Sequence, residues 1–150
     1  MFKWALIIRL VQLSILAVAL TCVGLGRGLK YPGGKRTGPW RCSISVWHKK
    51  HSYLYGQYWV FLTSMILTIV TIVSMILAFA RNRPFISTAS FGLLDALING
   101  GLETWYTVDG AYYCDAIEGA YVESWAAASA FLYILVIAYI LEIIVDRAEQ

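Results

Sequence analysis

Long apolar runs separated by short polar stretches dominate the chain. The first, about residues 4–25, is interrupted only by Arg9 and Gln12, and the second, about 55–80, carries no charge at all. The last, about 122–145, is free of charge between Glu123 and Glu142. Each approaches the roughly 20 residues that a helix needs to cross about 30 Å of hydrocarbon. A further run, about 85–108, is weaker because it carries Asp95, Asn99 and Glu103. The segment Arg81-Asn82-Arg83-Pro84 between the second and third runs combines basic residues with a proline, which ends one helix and suits the start of another. A link so short allows only a tight helical hairpin, which returns the chain into the same layer. The pattern therefore predicts an all-α fold, an integral-membrane four-helix bundle forming one domain over residues 1–150. A surface placement of the third run is the alternative, and it leaves three spans with the termini on opposite sides.

Composition agrees with a lipid solvent. The chain is 59% hydrophobic and 15% aromatic, with only 14% charged residues, and its mean hydropathy is +0.65. Soluble domains hold about 45–50% apolar and about 25% charged residues, so no separate soluble domain is expected. The opening Met1-Phe2-Lys3 followed by an apolar run and Ala17-Val18-Ala19 has features of a secretory signal. The run is longer than a usual signal core and contains Arg9, which favours an uncleaved first span.

Four spans place both termini and the 81–84 turn on one side and the loops of about residues 26–54 and 109–121 on the other. Lys3, Arg9, Arg81, Arg83 and Arg147 then lie toward the terminal side, against Arg27, Lys30, Lys35, Arg36, Arg41, Lys49 and Lys50 in the first loop. Five against seven leans weakly toward a cytoplasmic first loop. Cysteine placement pulls the other way. Cys42 and Cys114 fall in the two loops on one side, where an oxidising compartment would let them pair, while Cys22 lies within the first span as a small apolar residue. Both the sidedness and the Cys42–Cys114 disulfide stay open at this level.

The basic first loop faces a second loop bearing Asp109, Asp115 and Glu118, with Glu123 beside it. Solvated loops account for these charges, since exposed pairs contribute only about 0–1 kcal/mol each. The functional reading places Lys35, Arg36, Trp40, Arg41, Trp47, Lys49 and Lys50 against lipid headgroups, where amphipathic rings and cations are favoured. A loop tethered to a membrane at both ends suits lipid better than nucleic acid, and no nucleic-acid partner is expected.

Within the third run, Thr88, Gly92, Ala96, Gly100 and Thr104 recur at every fourth position and form one face of small side chains. Such a face lets another helix approach closely. Packing inside the bundle, with Ala126, Ala127 and Ala130 of the last run opposite, is the simpler use; self-association is the other. Asp95, Asn99 and Glu103 share the same spacing on the adjacent stripe and should face the bundle, because an acid exposed to lipid is costly. Arg9 completes an intramembrane polar set. Its depth suits Asp95, with Glu142 competing as a partner nearer in depth. A structural ion pair or a hydrogen-bonded neutral acid fits this set better than a proton relay does.

Catalytic patterns are absent. His48, His51 and Cys42 lack a second thiol at zinc-site spacing, and no hydrolase, metalloprotease or phosphate-loop motif occurs. No enzyme activity, cofactor or metal is expected.

The Arg9-Leu10-Val11-Gln12 element within Ile8 to Leu20, the third-run Gly92-Leu93-Leu94-Asp95-Ala96-Leu97 and the last-run Ala126-Ala127-Ala128-Ser129-Ala130-Phe131-Leu132-Tyr133 resemble, in order and spacing, fungal-type MARVEL (membrane-associating) domains. The resemblance covers nearly the whole chain. It implies a four-span bundle with cytoplasmic termini, in the plasma membrane or secretory-pathway vesicles, that organises lateral membrane domains or brings membranes together without catalysis. The long basic, aromatic first loop departs from that pattern. A more distant echo of claudin-like proteins lies in Gly38-Pro39-Trp40-Arg41-Cys42. Three functions follow for testing: a scaffold that binds membrane lipids and forms homo-oligomers, a small accessory subunit of a larger membrane complex, and a proton- or ion-coupled carrier.

Overall fold

A computed structural model describes residues 2–27, 29–30, 43–44, 55–81, 88–109 and 121–148. Four long helices form among them: α1 (Phe2–Leu25), α2 (Tyr55–Arg81), α3 (Ala89–Asp109) and α4 (Glu123–Ala148). Each coincides with one of the apolar runs, to within a few residues at either end. Of the four, α1, α2 and α4 are long and apolar enough to cross a membrane. At 21 residues, α3 is also about 31 Å long at 1.5 Å per residue, but its internal polar residues lower its mean hydropathy.

The helices run up and down in a ring. Each helix packs on its sequence neighbour, α4 closes the ring on α1, and the most extensive contacts are those of α4 with α3 and with α1. α1 and α3 lie diagonally across the bundle. Its interior is built from Leu16, Ala19 and Val23 of α1, Val60 and Leu67 of α2, Ala96 of α3, and Trp125, Leu132, Leu135 and Tyr139 of α4. α2 contributes least, and its outer surface is a nearly continuous sheath of Leu62, Ile66, Ile69, Val73 and Ile76. Also on that outer surface, Trp59 and Phe79 stand twenty residues apart, a separation of about 30 Å. That equals the thickness of the hydrocarbon layer, about 30 Å.

One end of the bundle is latched. α1 stops at Leu25 because Gly26 turns the backbone to a φ of 49°, the left-handed conformation that commonly terminates a helix. The chain then runs into a two-residue strand, β1 (Leu29–Lys30), paired antiparallel with β2 (Tyr121–Val122) so that Leu29 lies opposite Val122. Neither strand was expected from the sequence, where residue 122 opens the last apolar run. Beside the strands, the Arg27 amide donates to Ser124 Oγ at 2.8 Å and the Ser124 amide donates to the Arg27 carbonyl at 3.1 Å. One turn further in, Trp125 Nε1 donates to the carbonyl of Val23 at 3.1 Å. The start of the first long loop and the end of the second are thereby held together at one end of the bundle, and the α1 start, the α2 end, the α3 start and the α4 end gather at the other.

Candidate functional site

Asp95, Asn99 and Glu103 of the third apolar run all point inward. Asp95 is 8% exposed and Asn99 and Glu103 are 0% exposed, while Phe91, Leu94, Leu97, Ile98 and Trp105 of the same helix are exposed. α3 is thus polar within and chiefly apolar without. α2 repeats the arrangement, burying Gln57, Ser64, Thr71 and Ser74 against the other helices. Together with Arg9, Gln12 and Glu142 these side chains form a polar seam along the bundle interior.

The seam has three layers. Nearest the terminal end, Arg9 Nη2 donates to Glu142 Oε1 at 2.7 Å and Gln12 Nε2 donates to Glu142 Oε2 at 2.6 Å, so both carboxylate oxygens are engaged from α1. Arg9 Nη1 also reaches Thr88 Oγ1 at 3.3 Å. The sequence puts Asp95 first as the Arg9 partner, within reach in depth, with Glu142 as the competitor nearer in depth. The ion pair instead goes to Glu142, because α1 and α4 are direct neighbours whereas α1 and α3 are diagonal.

In the middle layer Asn99 is the hub. Its Nδ2 lies 3.0 Å from Asp95 Oδ2, 2.9 Å from Thr63 Oγ1 and 3.2 Å from Ser64 Oγ, joining α3 to α2. Asp95 therefore shares its layer with a neutral amide donor.

The third layer, toward the loop end, contains Glu103 and Gln57. The Gln57 amide lies within reach of the Glu103 carboxyl without closing a well-aligned hydrogen bond, and among the described residues nothing else bonds either carboxyl oxygen or either polar atom of Gln57. Both side chains are 0% exposed. Tyr106, one turn beyond Glu103, covers this layer, with its hydroxyl accepting from the Gly56 amide at 3.0 Å and its ring edge-on to Trp125 at 6.0 Å.

The small-residue face of α3 is filled from α4, by large side chains in place of the expected Ala126, Ala127 and Ala130. A Cβ at Gly92 would fall inside the Tyr139 ring, and one at Gly100 would meet the Tyr133 ring at 3.2 Å. Ala126 and Ala127 are half-buried and Ala130 is exposed. Thr88 accepts from Arg9, Ala96 is fully buried, and Thr104 is hydrogen-bonded to Ser129 at 2.7 Å. Large-into-small packing needs glycine on one side only, so a stripe of glycines does not disclose what fills it. Gln12, Gln57, Tyr133 and Tyr139 were missed as partners; the usable signal was their presence within otherwise apolar helices.

Cys42 and Cys114, and the loop residues Lys35, Arg36, Trp40, Arg41, Trp47, Lys49 and Lys50, lie outside the described residues. Cys22 is described, half-buried in α1 with a free thiol. No cluster of three or more potential metal-ligating His, Cys, Asp or Glu side chains occurs among the described residues. No protein-family model, curated protein or solved structure matches the chain.

Proposed function

We propose that the chain is a four-span, non-enzymatic membrane protein that organises lateral membrane domains. The observation that carries the reading is the inside-out character of α3: its acids and Asn99 are buried while Phe91, Leu94, Leu97, Ile98 and Trp105 face outward. A helix that hides its polar groups in a bundle and shows apolar ones outside is suited to lipid whatever its average hydropathy. A fourth span gives the termini a common side, as the resemblance to MARVEL domains implies. Lipid and neighbouring copies are then the partners available to the outer surface. Gly101, where an added Cβ would meet nothing within 4 Å, leaves bare backbone on the outward face of α3 at which another helix can approach.

The test is clustering of labelled protein in liposomes, read by energy transfer at low protein-to-lipid ratio. The scaffold reading expects transfer above the random-mixing value, dependent on lipid composition, and lowered by Gly101→Leu with the helical fold retained. Random mixing in all lipid compositions would overturn it. Gly92→Leu and Gly100→Leu are unsuitable for this purpose, because both positions are occupied within the bundle by tyrosine rings.

A second reading, an ion-coupled carrier, is favoured by the polar seam, whose layers follow one another along the bundle. Its test is flux into liposomes with and without Asp95→Asn; no flux in the wild-type protein would eliminate it.

A further inference from the structure

We propose that Glu103, Gln57 and Asn99 form a binding site for one sodium ion between the loop-side and middle layers of the bundle. The inference concerns the bundle interior and stands apart from the scaffold reading. Four charged residues of the helices are buried among the described residues: Arg9, Asp95, Glu103 and Glu142. Arg9 neutralises Glu142 at the opposite end, and Asp95 accepts from Asn99. Among the described residues Glu103 has no counter-charge and no well-aligned hydrogen bond, only the Gln57 amide beside it. A bare carboxylate in so dry a place is too costly to persist and takes up a proton or a cation.

The surrounding atoms favour the cation. Both Glu103 oxygens, Gln57 Oε1 and Asn99 Oδ1 are buried acceptors without partners, in consecutive layers joined by one face of α3. Asn99 is held through its amide nitrogen, on the Asp95 side, which leaves Oδ1 the free end. A proton on Glu103 serves one acceptor, whereas a hard cation is coordinated by several oxygens at once. One carboxylate matches one positive charge. Calcium takes six to eight oxygens, often from several carboxylates, and magnesium keeps several of its waters. Transition metals prefer imidazole or thiolate donors in sets that the described residues do not provide. Glu103 lies six residues from the end of α3 at Asp109, about 9 Å along the axis, so an ion enters from the loop end past Tyr106 and not through the full bilayer.

Dicyclohexylcarbodiimide, an apolar reagent that modifies protonated carboxyls, provides the test. The purified full chain in detergent micelles is treated in sodium chloride or in choline chloride at equal ionic strength, and the adduct at Glu103 is followed by peptide mass spectrometry. The adduct should form in choline, and sodium at about ten times its dissociation constant should slow it about tenfold by mass action. Gln57→Leu should keep the labelling and lose most of the sodium protection. Equal labelling rates in the two salts would overturn the proposal, as would a recovered, unmodified Glu103 peptide in choline from protein with native helical circular dichroism.

Discussion

The two ends of the polar seam treat a buried glutamate in opposite ways. Glu142 receives Arg9 on one oxygen and Gln12 on the other, at 2.7 and 2.6 Å. Glu103 is more deeply buried, with only the Gln57 amide beside it and no well-aligned hydrogen bond among the described residues. Removing charges from water and pairing them roughly balances, so the Glu142 layer gives the bundle specificity of register more than net stability. An unpaired acid gives neither. The contrast separates a layer that holds helices together from a layer that has something to bind.

The sharpest way to break the comparison is to remove one partner at the paired end. Glu142→Leu leaves the Arg9 guanidinium without its counter-charge inside the bundle, and should cost about 3–5 kcal/mol in reversible unfolding in detergent. The double change Arg9→Leu with Glu142→Leu should recover most of that loss. If the double variant is as unstable as the single one, the cost comes from packing and not from the stranded charge.

Next in size is the glycine contact beside the paired layer. Gly92→Ala drives a methyl into the Tyr139 ring, and overpacking of this kind costs about 1–3 kcal/mol. Gly101→Ala, with open space around it, should instead be neutral or stabilising by up to about 1 kcal/mol through helix propensity. Thermal unfolding of the two variants side by side checks both signs. Equal effects would mean that the Gly92–Tyr139 contact does not limit how closely α3 and α4 approach.

A smaller effect belongs to the middle layer. Asn99→Ala removes the donor shared by Asp95, Thr63 and Ser64. Interhelical hydrogen bonds of membrane bundles average about 0.6 kcal/mol and reach about 1.7, so a loss of that order is expected. A loss above that range would show Asn99 to be part of a more cooperative network joining Asp95 to Thr63 and Ser64.

The sequence made the helices legible because uninterrupted apolar runs have few other uses, and the spacing of four correctly turned Asp95, Asn99 and Glu103 to one side. It ranked Asp95 ahead of Glu142 as the partner for Arg9, wrongly, since depth along a helix says nothing of which helices are neighbours and which are diagonal. Gly92 and Gly100 announced a close approach, but not that Tyr139 and Tyr133 fill it. Gln57 was the least visible. A single glutamine in the first turn of an apolar helix looks like a solvated end, and only the antiparallel packing of α2 on α3 brings it to Glu103. The β1–β2 pair was hidden by its length, two residues a side, which leaves no periodicity to read.

The smallest expected effect is also the one that most sharpens the contrast. Glu103→Gln keeps the size and shape of the side chain and removes only its capacity to carry charge. Among the described residues no salt bridge or well-aligned hydrogen bond depends on that capacity, so stability in choline chloride should change by less than about 1 kcal/mol, unlike the response to Glu142→Leu. In sodium chloride the order changes. The wild-type chain should gain the linkage stabilisation of a bound ion, about 1.4 kcal/mol at ten times its dissociation constant, while Glu103→Gln should gain none. The informative quantity is therefore the difference in melting temperature between the two salts, measured for each protein. It should be positive for the wild type and close to zero for Glu103→Gln and Gln57→Leu. For Glu142→Leu, however unstable, it should remain positive, because that change leaves the loop-side oxygens where they are. A difference that disappeared in all three variants would join the two layers into one cooperative unit, and the separation between the holding end and the binding end of the seam would fail.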